Sequence, residues 1–109
     1  MEIKKLSIII PAYNEGNTIH LILDKISGVK LIHNIQKELI IVNDRSTDDT
    51  EQAIHNYQVT HPDLDIQYFK HDTNRGKGAA LHTGISKATG EYLIIQDADL
   101  EYDAADLAL

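Results

Sequence analysis

Four short apolar runs recur along the chain, over residues 6–10, 39–42, 66–69 and 92–95, and stretches of helical periodicity stand between them. Runs this short suit strands of a covered parallel sheet, and stripes with a 3.6-residue period suit helices that cross over it. The order βαβαβαβ predicts an α/β fold, a Rossmann-like parallel sheet with helices on both faces. Ile19, Ile22, Leu23 and Ile26 stand at i, i+3, i+4 and i+7 and mark the first helix, which Gly28 closes. Residues 29–37 form a connection with one more turn of helix. Ser46 with Asp49 three residues on resembles a capping box for a second helix to about Tyr57, with Ala53, Ile54 and Tyr57 inward. Leu81, Ile85 and Ala88 give the inward stripe of a third helix, closed by Gly90. The run at 92–95 is predicted to be a buried strand. Right-handed crossovers and a strand order 3-2-1-4 would set strands one and four side by side, where ligands bind at the carboxyl ends.

The polar clusters fall at those ends. Pro11 cannot donate to a ladder and fits the exit of the first strand. Asp97 and Asp99 follow the fourth strand, and in an extended chain residues i and i+2 lie on one side roughly 6.6 Å apart, so the two carboxylates converge. Such a pair can share a proton, be separated by solvent, or share a hard divalent cation, which favours one or two carboxylates together with phosphate oxygens. A nucleoside diphosphate would use the cleft sensibly: Tyr13 offers a flat face for a base, and Glu15 and Asp44 offer acceptors for ribose hydroxyls or base N–H groups. Arg75 or Lys77, in a glycine-bearing segment before the third helix, could touch a phosphate or sugar. Each residue also has a plainer reading. Tyr13 can cap a sheet edge, and Glu15, Asp48 and Asp49 suit first helical turns, where the dipole favours acids. The six histidines show no metal-ligand spacing and read as surface or satisfied packing positions. Neither G-x-x-x-x-G-K-[ST] nor G-x-S-x-G occurs, and no G-x-G-x-x-G follows the first strand.

At 109 residues the chain is expected to form one domain, 1–109. A formal charge of −7 excludes a protein that wraps nucleic acid or coats an anionic membrane, so an anionic ligand must be held locally. The absence of cysteine removes disulfides, thiol catalysis and Cys-zinc sites. The apolar start, broken by Ser7 and Pro11, is too short for a signal peptide or a membrane span, and a cytoplasmic location is expected.

Three motifs in order, SIIIPAYNE at 7–15, IIVNDRSTDDT at 40–50 and NRGKGAALHTGISKATGEYLIIQDADLE at 74–101, resemble the amino-terminal half of a family 2 glycosyltransferase with the GT-A fold. The wording is closest to dolichyl- or polyprenyl-phosphate sugar synthases and their bacterial cell-envelope relatives, which serve cell wall biogenesis. The resemblance implies an inverting glycosyltransferase that binds a UDP- or GDP-linked nucleotide-sugar through Mg²⁺ or Mn²⁺. Its acceptor would be a polyprenyl phosphate or a glycan, and the full-length relative would work at the inner face of the membrane. Residue by residue, Pro11, Ala12, Tyr13 and Glu15 match the segment that holds base and ribose, and Asp44 matches the acid that bonds the base. Asp97 and Asp99 match the D-x-D motif, Glu101 matches a further metal contact, and Arg75 falls in a segment that lines the donor site.

Complete members of that family continue into an acceptor half with a later acidic base, so the chain is expected to be truncated and its catalytic base to lie beyond Leu109. A truncated sheet would leave strand four open to self-pairing, and a homo-oligomer is expected. The rival readings are a non-catalytic nucleotide-binding or assembly module and a nucleotidyltransferase; the missing glycine- and lysine-rich segment after strand one speaks against the latter.

Overall fold

The structure, a computed structural model, describes residues 4–29 and 34–98. Strand β1 is Lys5–Ala12, helix α1 Ile19–Gly28, β2 Gln36–Asn43, α2 Thr50–Thr60, β3 Ile66–Lys70, α3 Lys77–Lys87 and β4 Tyr92–Ile95. All pairings are parallel and the strand order is β3-β2-β1-β4, the order expected from the sequence. Among the described residues no helix is long and apolar enough to cross a membrane.

Side-chain alternation along the two central strands sorts the core into two layers. Ile8, Ile10 and Ala12 of β1 and Leu39 and Ile41 of β2 face α1 and α2, where they meet Ile19, Ile22, Leu23, Ile26, Ile54 and Tyr57. Ile9, Ile40 and Val42 face the other way, onto Ala80 of α3. The register Ile8↔Leu39, Ile9↔Ile40, Ile10↔Ile41 keeps each row in one layer. Pro11 sits within β1, opposite Val42. Its side of the strand is the one on which Lys5 and Ile9 accept from Glu91 and Gln96, so the missing N–H points past the last rung of β4 and costs no bond.

Four expectations need correction. The second helix begins at Thr50 with Asp49 at its N-cap, and no side chain caps it there; Ser46 Oγ instead donates to Asn43 Oδ1 at the end of β2. Asp48 substitutes for the expected box by accepting from the Thr50 N–H. The inward face of α3 is Ala80 and Gly84, with Leu81 and Ala88 partly buried, whereas Ile85 is 44% exposed. The helix lies too close to the sheet for a large residue: a Cβ at Gly84 would stand 2.4 Å from Ile9 Cγ2. Gly90 does not close α3, which ends at Lys87; a Cβ there would meet the Lys5 carbonyl oxygen at 2.8 Å, so glycine lets the chain press against β1 as β4 begins. Finally, β4 is not buried. Its four side chains are 40–59% exposed, because β4 pairs only with β1 and forms an outer edge of the described sheet. Of residues 29–37, Val29 follows α1 and positions 36 and 37 belong to β2, and the expected extra turn falls partly outside the described residues.

Opposite the carboxyl ends, Glu38 is buried and joins three segments. Its carboxylate accepts from Ser7 Oγ at 2.8 Å, from the Thr89 N–H at 3.0 Å and from Thr89 Oγ1 at 2.9 Å, while Ser7 Oγ accepts from the Gly90 N–H at 2.8 Å. Burial pushes the Glu38 pKa up, but the Thr89 and Ser7 hydrogen bonds and the charge of Lys5 outweigh it, leaving the carboxyl below its ordinary value.

Candidate active site

The loops that leave β1 and β2 are stitched to one another. Asn14 adopts a left-handed conformation (φ 54°), which its short polar side chain tolerates. That turn lets its Oδ1 accept from the Thr47 N–H at 2.8 Å while its own N–H donates to Ser46 Oγ at 2.9 Å. The Glu15 N–H donates to Thr50 Oγ1 and the Gly16 N–H to Asp48 Oδ2. A Cβ at Gly16 would overlap Asp49 Oδ1, so a larger residue there would push the Asp49 carboxylate aside. Neither periodicity nor motif spacing marks Asn14 or Thr47 for this role, and Ser46 read as a helix cap; the signal at Asn14 is an Asn just past a strand, with its tolerance for φ > 0.

Asp44, at the end of β2, is buried and holds the third loop. Its Oδ1 accepts from the Arg75 N–H at 2.8 Å and from His71 Nδ1 at 2.9 Å, its Oδ2 accepts from the Gly76 N–H at 2.8 Å, and its backbone carbonyl accepts from Asn74 Nδ2 at 3.3 Å. His71 is held from its other side by Thr83 Oγ1 of α3, 2.8 Å from Nε2. Burial works to raise the Asp44 pKa, yet the Arg75 amide, His71 and the Gly76 amide prevail and hold it below the ordinary aspartate value. The carboxylate is therefore an acceptor only, and His71 Nδ1 carries the shared proton. Gly76, at φ 92° and ψ 163°, occupies backbone space that suits glycine and turns the chain into α3.

These loops, the start of α3 and the end of β4 enclose a cleft of about 500 Å³ lined by Pro11, Ala12, Tyr13, Glu15, Asp44, Asn74, Gly76, Lys77, Ala80, Asp97 and Ala98. Seven residues singled out from the sequence thus meet there: Pro11, Ala12, Tyr13, Glu15, Asp44, Lys77 and Asp97. Arg75 is not among the lining residues; its contribution is the amide on Asp44. Asp99 and Glu101 lie outside the described residues. Glu15 precedes α1 instead of lying in its first turn, and its Oε2 accepts from Thr18 Oγ1 at 2.9 Å. Tyr13 is 46% exposed beside the cleft. Among the described histidines, His71 alone bonds Asp44.

Asp97 is about one-third exposed, and its Oδ1 stands 2.6 Å from Lys77 Nζ. Among the described residues no group of three or more His, Asp or Glu could hold a metal by itself. A hard cation that keeps water and phosphate oxygens needs only one or two carboxylates, and a partly exposed Asp97 at the cleft wall fits that pattern. Lys77 supplies the positive charge that an anionic ligand would meet at the same wall.

The glycosyl transferase family 2 model matches residues 7–108. The chain is 34% identical over 102 residues to the poly-β-1,6-N-acetyl-D-glucosamine synthase of Staphylococcus epidermidis, a match covering 94% of this chain and 23% of that protein. It superposes with a TM-score of 0.80 and 35% identity on a mannosyltransferase from Pyrobaculum calidifontis solved with GDP-Man and Mn²⁺, over 91% of this chain and 28% of that one. The S. aureus TarS 1–349 structure with UDP-GlcNAc aligns at TM-score 0.76 and 28% identity, over 87% and 26% of the two chains. The chain therefore spans about a quarter of the length of the relatives it matches.

Proposed function

Because the chain belongs to glycosyl transferase family 2, we propose that it is the donor-binding part of an inverting transferase that takes a nucleoside-diphosphate sugar and a divalent cation. The observation that carries this reading is the meeting of three loops and the end of β4 on one cleft furnished with Tyr13, Asp44, Lys77 and Asp97. In this reading Tyr13 stacks on the base, Asp44 accepts from its edge, and Glu15 accepts from the ribose. Lys77 would meet the charge of the diphosphate, and Asp97, Asp99 and Glu101 are the acids that would hold Mg²⁺ or Mn²⁺. The cation, when bound, takes up charge that develops on the leaving diphosphate.

Transfer with inversion forms a bond from the acceptor oxygen to the anomeric carbon as the bond from that carbon to the diphosphate oxygen breaks on the opposite face. A glycan hydroxyl would lose its proton to a general base; a polyprenyl phosphate is already ionised and needs none. The non-catalytic binding module remains the rival, because the chain spans only about a quarter of relatives such as the S. epidermidis synthase. Donor hydrolysis or transfer by the isolated chain would favour the enzyme, and binding without turnover the module.

The metal assignment is tested with Asp99→Ala. Calorimetric titration of nucleoside diphosphate with and without Mn²⁺ should show metal-dependent binding in the unaltered chain and its loss in the variant, with the far-UV circular dichroism of the two chains superimposable. Unchanged affinity in the variant would remove Asp99 from the site.

A further inference from the structure

The relatives do not decide the base, since one structural neighbour holds GDP-Man and another UDP-GlcNAc. The hydrogen-bond capacity of Asp44 does bear on it. An ionised carboxylate has about four lone-pair positions, two on each oxygen. Oδ1 already receives two donors, the Arg75 N–H and His71 Nδ1, and Oδ2 receives one, the Gly76 N–H. One acceptor position remains on a side chain that lines the cleft. Guanine presents two adjacent donors on its pairing edge, the ring N1–H and the exocyclic amine, and these call for both oxygens of a carboxylate. Uracil presents one, N3–H, between two carbonyls.

Resting on the nucleotide-binding reading above, we propose that His71 is a positioning residue that fills Oδ1 of Asp44 and so restricts the site to a base with a single edge N–H, uracil in preference to guanine. Two features make His71 suited to this. Thr83 of α3 fixes its Nε2, so the ring cannot turn aside to release Oδ1 without breaking a second bond. Its residue is buried, so water does not replace it. A guanine set against Asp44, which is buried, would leave one of its two edge donors without an acceptor on that carboxylate, a loss that offsets the bond gained.

The test titrates the full chain with UDP, GDP and IDP in the presence of Mn²⁺. IDP is the informative probe: hypoxanthine has the size of guanine but a single edge N–H. UDP is expected to bind about tenfold or more tighter than GDP, and IDP tighter than GDP. GDP binding as tightly as UDP overturns the proposal and leaves the donor-site reading standing. IDP no better than GDP also overturns it, because size and not donor count would then discriminate. Binding of none of the three overturns both. Two variants isolate His71. His71→Asn, whose amide can donate from nearly the Nδ1 position, should keep the preference for UDP over GDP, and His71→Ala should bring that ratio toward one while UDP still binds. A ratio unchanged in His71→Ala overturns the positioning role.

Discussion

Replacing Glu38 separates the worth of its charge from the worth of its hydrogen bonds. In Glu38→Gln the amide can lie with its oxygen toward Ser7 Oγ and the Thr89 N–H and its NH₂ toward Thr89 Oγ1, which can turn to accept, so all three contacts survive geometrically. What is lost is charge assistance, and the difference between charged and neutral hydrogen bonds sets the cost at about 1–2 kcal/mol. Glu38→Ala removes every acceptor and leaves the Ser7 hydroxyl and the Thr89 N–H short of a partner, for a cost of about 3–5 kcal/mol. The pH dependence supplies the sharper check. Because the folded pKa of Glu38 lies below its unfolded value, its charge-dependent stability is fully present above about pH 4.3 and disappears as pH falls through the folded pKa. Other carboxylates titrate in both proteins and cancel in the comparison. Urea unfolding followed by far-UV circular dichroism should therefore show the gap between the unaltered chain and Glu38→Gln closing in acid. A gap that stays constant with pH, or a Gln variant as unstable as the Ala variant, would refute the reasoning.

Gly84→Ala should lower Tm: the helix gains about 1 kcal/mol from alanine, but a methyl 2.4 Å from Ile9 Cγ2 must displace packed core, at about 1–3 kcal/mol. The double variant Gly84→Ala with Ile9→Ala should then cost less than the sum of the single changes, and strict additivity would show that the two sites do not compete for space. The apolar edge at β4 is expected to drive concentration-dependent association, which sedimentation equilibrium should detect and Ile94→Lys should reduce. A clean monomer at high concentration would count against it.

Where residues carry bulk or a strong backbone preference, the fold was legible. The stripe Ile19, Ile22, Leu23 and Ile26 is the buried face of α1, and the runs at 6–10 and 39–42 are the two central strands with the registers their alternation demands. Where contact depends on smallness, it was not. The inward face of α3 is made by Ala80 and Gly84, and hydrophobic periodicity cannot find a face built from residues chosen for lacking side chain. Burial of β4 was misjudged because an apolar run does not say whether its strand is central or at an edge. The acids of the cleft stood out as polar clusters at strand ends, but the partners of Asp44 did not. Two of its three carboxylate donors are backbone amides, and the third, His71, lies 27 positions away on another loop, beyond the reach of any local pattern.

The central claim is that the cleft at the carboxyl ends of β1, β2 and β4 binds a nucleoside diphosphate. The most direct measurement is a ¹⁵N–¹H correlation spectrum of the chain titrated with UDP and Mg²⁺. Amide shifts that saturate and concentrate at Ala12, Tyr13, Asp44, Gly76, Lys77 and Asp97, the wall of that cleft, are the predicted result. Shifts confined to the shallower groove between α1 and α2, around Asp24, Tyr57 and His61, or no shifts at all, would contradict it.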